Sequence, residues 1–138
     1  PANLFVAGFI GTPQMNFFDA ELKRDGDKYT VEVCGEQVNL TEDKQAALLR
    51  NDVKSGPVTL GIRPEHIVLA KTGGIPARVD VLNDGLELHL TAAGHDAVVI
   101  VPTLELDAIP SYGQQVSLEL HEDSIHLFDR ETEKSLLL

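Results

Sequence analysis

The fold is decided by a stretch of sequence that occurs twice. Residues 58–69 read VTLGIRPEHIVL, and residues 116–127, 58 positions later, read VSLELHEDSIHL. In both copies, apolar residues alternate with other residues on either side of a polar corner, which is the period-two pattern of half-buried strands. Two strands joined by a corner and repeated in the same order predict a duplicated β unit.

Turn residues extend this duplication toward the N-terminus. Asp25-Gly26 recurs as Asp84-Gly85, 59 positions later, and alternating segments between such turns predict further strands. Each copy then holds about five short strands, which close most economically into a small OB-like barrel. The sequence therefore predicts a mainly β protein of two barrel lobes, lobe 1 at about 12–71 and lobe 2 at about 77–129, packed together because neither buries much core alone.

Two short helices are predicted beside the β pattern. Residues 3–11 form the first, with Asn3 able to cap its start and Gly11 its end. Its segment Leu4–Ile10 carries no charge, so we expect it to be buried between or against the lobes. The second lies near 41–52, where a cap residue and two acidic residues precede good helix formers.

Composition and charge exclude several classes of protein. The chain has 138 residues, of which 43% are hydrophobic, which suits one ordinary globular domain or two very small ones. Lys and Arg number 11 against 22 Asp and Glu, so the net charge of −11 argues against nucleic-acid binding and against a polybasic membrane patch. Cys34 is the single cysteine, which rules out an internal disulfide and fits the cytosol. Because the chain begins with Pro1, we expect it to be part of a longer protein.

Catalytic motifs are missing from the sequence. No glycine precedes a lysine, so there is no Walker-type phosphate loop, and no two glycines lie two apart, so there is no dinucleotide fingerprint. His121 and His126 are five apart, which places them on different faces of a helix; on a hairpin they could approach each other as a weak metal site, but exposed strand-end histidines are the simpler interpretation. We predict no catalytic, cofactor-binding or metal-binding residue in this chain.

Three stretches resemble one family closely. They are NLFVAGFIGTPQMNFF at residues 3–18, LGIRPEHI at residues 60–67 and HLFDRETEKSL at residues 126–136. All three resemble the C-terminal regulatory domain of ATP-binding subunits from bacterial carbohydrate importers, the maltose- and glycerol-3-phosphate-type ABC ATPases. The order and spacing also match, so the resemblance covers essentially the whole chain. One departure is Glu133, near which the family usually has Gly.

The resemblance implies a fold, a role and partners. The fold is a pair of OB-like lobes, often called a TOBE-type domain, and the role is non-catalytic regulation and dimerisation. The expected partners are a second copy of the chain, its own upstream ATPase domain joined through helix 3–11, the importer's membrane subunits and a cytosolic regulatory protein. ATP and Mg would be bound by the ATPase domain, and the location would be the cytoplasmic face of the cell membrane.

Two groups of residues in these stretches are candidate site residues. The corner Gly61-Ile62-Arg63-Pro64-Glu65-His66 is interpreted as structural rather than ligand-binding: Pro64 ends or kinks the strand, and the corner docks one lobe on the other. Arg63 and Glu65 are two apart and could lie on one side of the extended segment, where they form an ion pair or bind backbone groups. The second group is a candidate contact for dimerisation or a regulator, since aromatic residues and Met are enriched at interface cores. Phe17 and Phe18 are adjacent on a strand and point to opposite faces, so one can fill the barrel core while the other meets a second surface; burial of both in the core is the alternative. Its members are Phe5, Phe9, Met15, Asn16, Phe17 and Phe18.

Two alternative functions stay open at this point. Related small β domains bind molybdate-like oxyanions, although the acidic surface and the few lysines near turns disfavour this. An OB-type nucleic-acid binder combines a basic groove with exposed aromatic residues, and seven aromatic residues with a charge of −11 speak against it.

Overall fold

The computed structural model describes residues 15–70, 73–82, 87–101 and 110–138, so the predicted helix 3–11 lies outside the described residues. Ten strands, one α-helix and two 3-10 turns form these ranges. In chain order they are β1 (Asn16–Asp25), β2 (Lys28–Val33), β3 (Glu36–Asn39), α1 (Glu42–Arg50), β4 (Gly56–Ile62), a 3-10 turn (Pro64–His66), β5 (Ile67–Ala70), β6 (Ile75–Leu82), β7 (Glu87–Ala92), β8 (His95–Ile100), β9 (Gln115–Leu120), a 3-10 turn (Glu122–Ser124) and β10 (His126–Asp129).

The strands form two antiparallel sheets of five. Sheet one has the order β10-β4-β1-β2-β3, and sheet two has the order β5-β9-β6-β7-β8. Every strand pair in both sheets is antiparallel. The mainly β class, the two OB- and TOBE-like lobes and the short helix near 41–52 are confirmed.

The two sheets repeat each other strand by strand, as the duplicated sequence predicts. Leu127 lies opposite Leu60 in the β10–β4 pair, and Leu69 lies opposite Leu118 in the β5–β9 pair. The two pairs are equivalent in the repeat, because Leu118 lies 58 positions after Leu60 and Leu127 lies 58 positions after Leu69. The last strand of each copy therefore crosses into the sheet of the other copy: β5 joins sheet two and β10 joins sheet one. This exchange ties the lobes together covalently and through the ladders.

One hydrophobic core runs through both sheets. Phe18, Val31 and Leu60 from sheet one and Leu88 and Leu118 from sheet two are almost completely buried in the same cluster. These positions belong to the alternating apolar sets of their strands, so the sequence pattern alone selects the face that each strand buries.

Hydrogen bonds attach helix α1 to the start of β2, a part of the strand with which β3 does not pair. Tyr29 donates its hydroxyl to the carbonyl oxygen of Val53 at 2.6 Å. The carboxamide of Gln45 accepts from the backbone N–H of Tyr29 and donates to its carbonyl, both at 2.7 Å. A side-chain amide thus satisfies a strand position that lacks a neighbour. No helix in the described part of the chain is long and apolar enough to cross a membrane.

Candidate functional site

Two adjacent phenylalanines of β1 divide between the two faces of sheet one. Phe18 is completely buried in the core and contacts the ring of His95, with 5.9 Å between ring centroids. Phe17 points to the opposite face and is half-buried. Opposite orientations were predicted from the alternation of strand side chains. Because Phe18 has no exposed surface, Phe17 is the member of this pair that remains available to a partner.

Phe17 belongs to a small group of residues on the outer face of sheet one. Met15, Phe17, Gly61, His126 and Phe128 form this group, here called the outer-face cluster. Phe17 and Phe128 meet edge to face with 6.4 Å between their ring centroids, and the ring of His126 stacks on Phe128. Phe17 and His126 both pair with Gly61, so three strands contribute to one patch.

Gly61 has no side chain because the cluster fills the space where one would stand. A Cβ atom built on Gly61 would lie 2.6 Å from the sulfur of Met15 and 3.1 Å from the ring of Phe128. Contacts this short force neighbours to move. The glycine of the LGIRPEHI stretch therefore leaves room for Met15 and for the aromatic rings of β1 and β10.

The outer-face cluster holds an uncharged histidine beside positive charge. Burial lowers the pKa of His126 to about 4, and the charges of Arg63, Lys44 and His66 act in the same direction. His126 is thus neutral at physiological pH and behaves as a flat, mostly apolar ring. Arg63 and Lys44 thus lie close enough to His126 for their positive charges to act on it, in a chain that is otherwise strongly acidic.

The corner that follows Gly61 docks one half of the chain on the other. Buried Pro64 opens a 3-10 turn, and this turn packs against β8 of sheet two. Proline suits this first position because its missing N–H would have no partner there. Within the described residues no ion pair joins Arg63 to Glu65, and the contact with β8 is made by the turn that contains buried Pro64.

Asn16 joins the sheets through its side chain. Its Nδ2 donates to the carbonyl oxygen of Val98 and its Oδ1 accepts from the N–H of Val98, both at 2.8 Å. Val98 lies on β8, the edge strand of sheet two, so the carboxamide takes the place of a neighbouring strand. Asn16 is only 6% exposed and serves this junction. Nothing in the sequence around Asn16, including its aromatic neighbours, indicated that its side chain would bond to β8.

Some functional candidates fall elsewhere, and others were missed. Phe5 and Phe9 lie outside the described residues. His121 and His126 do not face each other on a hairpin, because β9 and β10 belong to different sheets. No group of metal-ligating side chains exists in the described ranges. Phe128 was missed as a member of the outer-face cluster, although alternation after Leu127 would have placed it on the outer face.

The family's usual glycine near position 133 has a structural explanation here. Glu133 has a φ of 62°, in the left-handed region that favours glycine, and its N–H donates to the carbonyl oxygen of Asp129 at 2.8 Å. The tight turn after β10 is thus kept with a residue that is strained in it.

Comparison with known proteins matches both halves of the chain. The model of the MalK OB fold domain matches residues 11–67, and the model of the TOBE domain matches residues 60–128. An uncharacterized ABC transporter ATP-binding protein, YcjV, of Escherichia coli O6:K15:H31 is 36% identical over 96% of this chain. The sn-glycerol-3-phosphate import ATP-binding protein UgpC is 34% identical in Pectobacterium atrosepticum and 36% identical in Salmonella choleraesuis, again over 96% of the chain. The chain spans 36% of the length of each of these relatives.

Proposed function

The chain belongs to the family of MalK OB-fold and TOBE domains found in ABC transporter ATP-binding proteins, and from this premise we propose that it is the non-catalytic regulatory and dimerisation domain of an importer ATPase. The proposed cargo of the parent importer is a sugar or glycerol-3-phosphate, the latter by analogy with UgpC. Binding and hydrolysis of ATP with Mg are assigned to the remainder of the parent protein. The parent would work at the inner face of the membrane, attached to the importer's membrane subunits.

The outer-face cluster carries the contact part of this proposal. It lies apart from the main core; Met15 and Phe128 are buried within it, and Phe17 keeps part of its side chain accessible. Aromatic residues in such patches act as interface anchors. A two-fold dimer uses the same patch on both partners, so Phe17 would meet the equivalent surface of a second copy.

Dimerisation supplies a tether for the parent protein. When ATPase domains separate between transport cycles, a contact elsewhere keeps them at high effective concentration, so that they meet again as an intramolecular event. A cytosolic regulator that binds this domain inhibits transport only if it prefers the separated state over the closed state. The exchange of β5 and β10 between the sheets suits such a tether, because strand ladders then link both halves of the chain.

Sedimentation velocity over a concentration series tests the dimer. Phe17→Ala should weaken self-association by about tenfold or more, the usual effect of removing an interface anchor. Val68→Ala is the matched control, since Val68 is an apolar residue that is 41% exposed on sheet two. Equal effects of both variants would contradict the assignment of the contact to Phe17. A chain that stays monomeric at about millimolar concentration would contradict dimerisation of the domain itself.

Phosphate release from ATP tests the non-catalytic part of the proposal. We expect no turnover by the purified 138-residue chain, because it has no glycine–lysine pair with which to build a phosphate loop. Hydrolysis above background that co-purifies with the chain and is lost on its unfolding would contradict this.

A further inference from the structure

The two halves of the chain differ at one equivalent junction. Phe18 lies opposite Leu60 in sheet one, as Ile75 lies opposite Leu118 in sheet two. Leu60 and Leu118 are equivalent residues of the repeat. The position two residues before Ile75 is therefore the counterpart of Asn16, and it is Gly73. The carboxamide that completes an edge strand in one half of the molecule has no counterpart in the other half.

The backbone site that would receive this missing carboxamide is on β3. Val98 is the fourth residue after the turn Ala93-Gly94, and Asn39 is the fourth residue after the turn Cys34-Gly35. In both turns the two residues have positive φ angles, 49° and 82° in one and 52° and 82° in the other. Val98 and Asn39 thus occupy the same place in matching hairpins.

The hydrogen-bond pattern of the hairpin leaves two residues of β3 directed outward. Hydrogen-bonded and non-hydrogen-bonded pairs alternate from a two-residue turn, so Gln37 and Asn39 point their N–H and C=O groups away from β2. No strand of the described ranges pairs with this edge. Elsewhere in the same sheet system, carboxamides satisfy such positions: Gln45 serves Tyr29, and Asn16 serves Val98.

An open groove runs beside this edge. A cavity of about 230 Å³ lies between β3 and the start of β6, with β9 as its floor. Gly74 borders it with a φ of 74°, and a Cβ there would collide with the carbonyl oxygen of Leu118. Neither Gly73 nor Gly74 has a side chain, so these two described residues of the corner offer no counterpart of the carboxamide with which Asn16 reaches β8.

The groove is acidic, so it favours a positively charged ligand. Glu36, Glu119 and Glu122 line it, and all three are exposed. A second copy of the chain is disfavoured as the occupant, because the groove is lined by glutamates and each chain carries a net charge of −11. A segment rich in lysine or arginine is attracted instead.

We infer that the edge of β3 is a peptide-binding site, which takes a basic, extended segment of another protein as a sixth strand of sheet one. A peptide group of that segment pairs with the N–H and C=O of Asn39, as the carboxamide of Asn16 pairs with Val98 in the other half. Main-chain bonds provide the affinity, and the three glutamates select lysine and arginine at alternate positions. This inference is independent of the dimer contact, which lies on the outer face of sheet one.

Titration of the chain with a short peptide of alternating lysine and valine, followed by fluorescence anisotropy and by amide NMR shifts, tests the site. We expect the largest shifts at the amides of Gln37 and Asn39, and no binding of a matched peptide of alternating glutamate and valine. Equal binding of both peptides, or shifts confined to other strands, would overturn the inference. So would self-association through β3 that the lysine peptide does not displace.

Substitutions in β3 and in the groove distinguish main-chain pairing of the peptide with β3 from general charge attraction. Asn39→Pro removes the outward N–H without breaking a bond to β2, and it should weaken binding about tenfold. Glu36→Gln with Glu119→Gln should weaken binding roughly threefold, whereas the control pair Glu21→Gln with Glu131→Gln, of the same net charge, should not. Equal loss in the two glutamine pairs, or full binding by a folded Asn39→Pro chain, would refute the site. If Asn39→Pro does not fold, the glutamine pairs and the amide shifts still decide.

Discussion

Replacing Asn16 by Ala tests how the two sheets are joined. The carboxamide makes two hydrogen bonds of 2.8 Å to the backbone of Val98 and is 6% exposed. Truncation leaves a donor and an acceptor of Val98 without partners in a poorly hydrated place, and each such group costs about 1–2 kcal/mol. We therefore expect the free energy of unfolding to fall by about 2–4 kcal/mol, a large share of the stability of a small domain.

Urea unfolding followed by far-UV circular dichroism measures this loss. The denaturant dependence should stay unchanged, because the two sheets share one core and unfold together. Asn51→Ala is the matched control: its carboxamide also makes two backbone bonds, to Leu136 at 3.1 Å and Leu138 at 3.0 Å, but at an exposed site. We expect that control to cost less than about 1 kcal/mol.

Asn16→Asp distinguishes lost bonding from lost packing. A carboxylate keeps nearly the same shape and can accept from the N–H of Val98, but it cannot donate to the carbonyl oxygen and repels it. The Asp variant should therefore be destabilised at neutral pH by at least as much as the Ala variant. If Asn16→Ala costs no more than Asn51→Ala, or if Asn16→Asp is as stable as the wild type, the junction does not depend on the carboxamide.

Three further substitutions test individual features. Gly61→Ala should destabilise the fold by about 1–3 kcal/mol in urea melts because its Cβ enters the outer-face cluster, whereas Gly56→Ala, with nothing within 4 Å of its Cβ, should cost less than about 1 kcal/mol; equal costs would count against the cluster. The folded-state pKa of His126 is about 4 against 6.5 unfolded, so the unfolded chain binds the extra proton between these values and stability falls as pH drops from 6.5 toward 4. His126→Gln should make that fall less steep in melts at a series of pH values, and unchanged steepness would contradict the lowered pKa. Glu133→Gly should raise the thermal midpoint by relieving about 1 kcal/mol of left-handed strain, and a lower midpoint would show that the turn is not strained.

The sequence by itself determined the strands, their buried faces and the duplication. Period-two alternation separates Phe17 from Phe18, because consecutive strand residues point to opposite faces whatever the strand pairs with. The same reasoning holds for the turns, where glycine marks the positions that need positive φ, such as Gly35 and Gly94. These are local properties, although Cys34 and Ala93 adopt positive φ in the same turns without being glycine.

Local sequence did not predict the residues that contact partners far away along the chain. Asn16 lies 82 residues before its partner Val98, and Phe128 lies 67 residues after Gly61. Their roles depend on these distant partners, which spacing along the chain does not reveal. The candidate site was therefore only half predictable. Met15 and Phe17 were named from their residue types, and alternation could have placed Phe128 on the same face. The lowered pKa of His126 and the edge of β3, with which none of the described strands pairs, depend on the tertiary structure.

Only the tertiary structure decided which strands pair. The exchange of β5 and β10 between sheets leaves the alternation of both strands unchanged, since Leu69 and Leu127 face the core in either sheet. The sheet that β5 or β10 joins depends on the direction that the chain takes after the corners at Pro64 and Glu122, and on packing between the two halves. Backbone hydrogen bonds are the same for every sequence, so the choice of ladder partner is made by the geometry of the whole molecule.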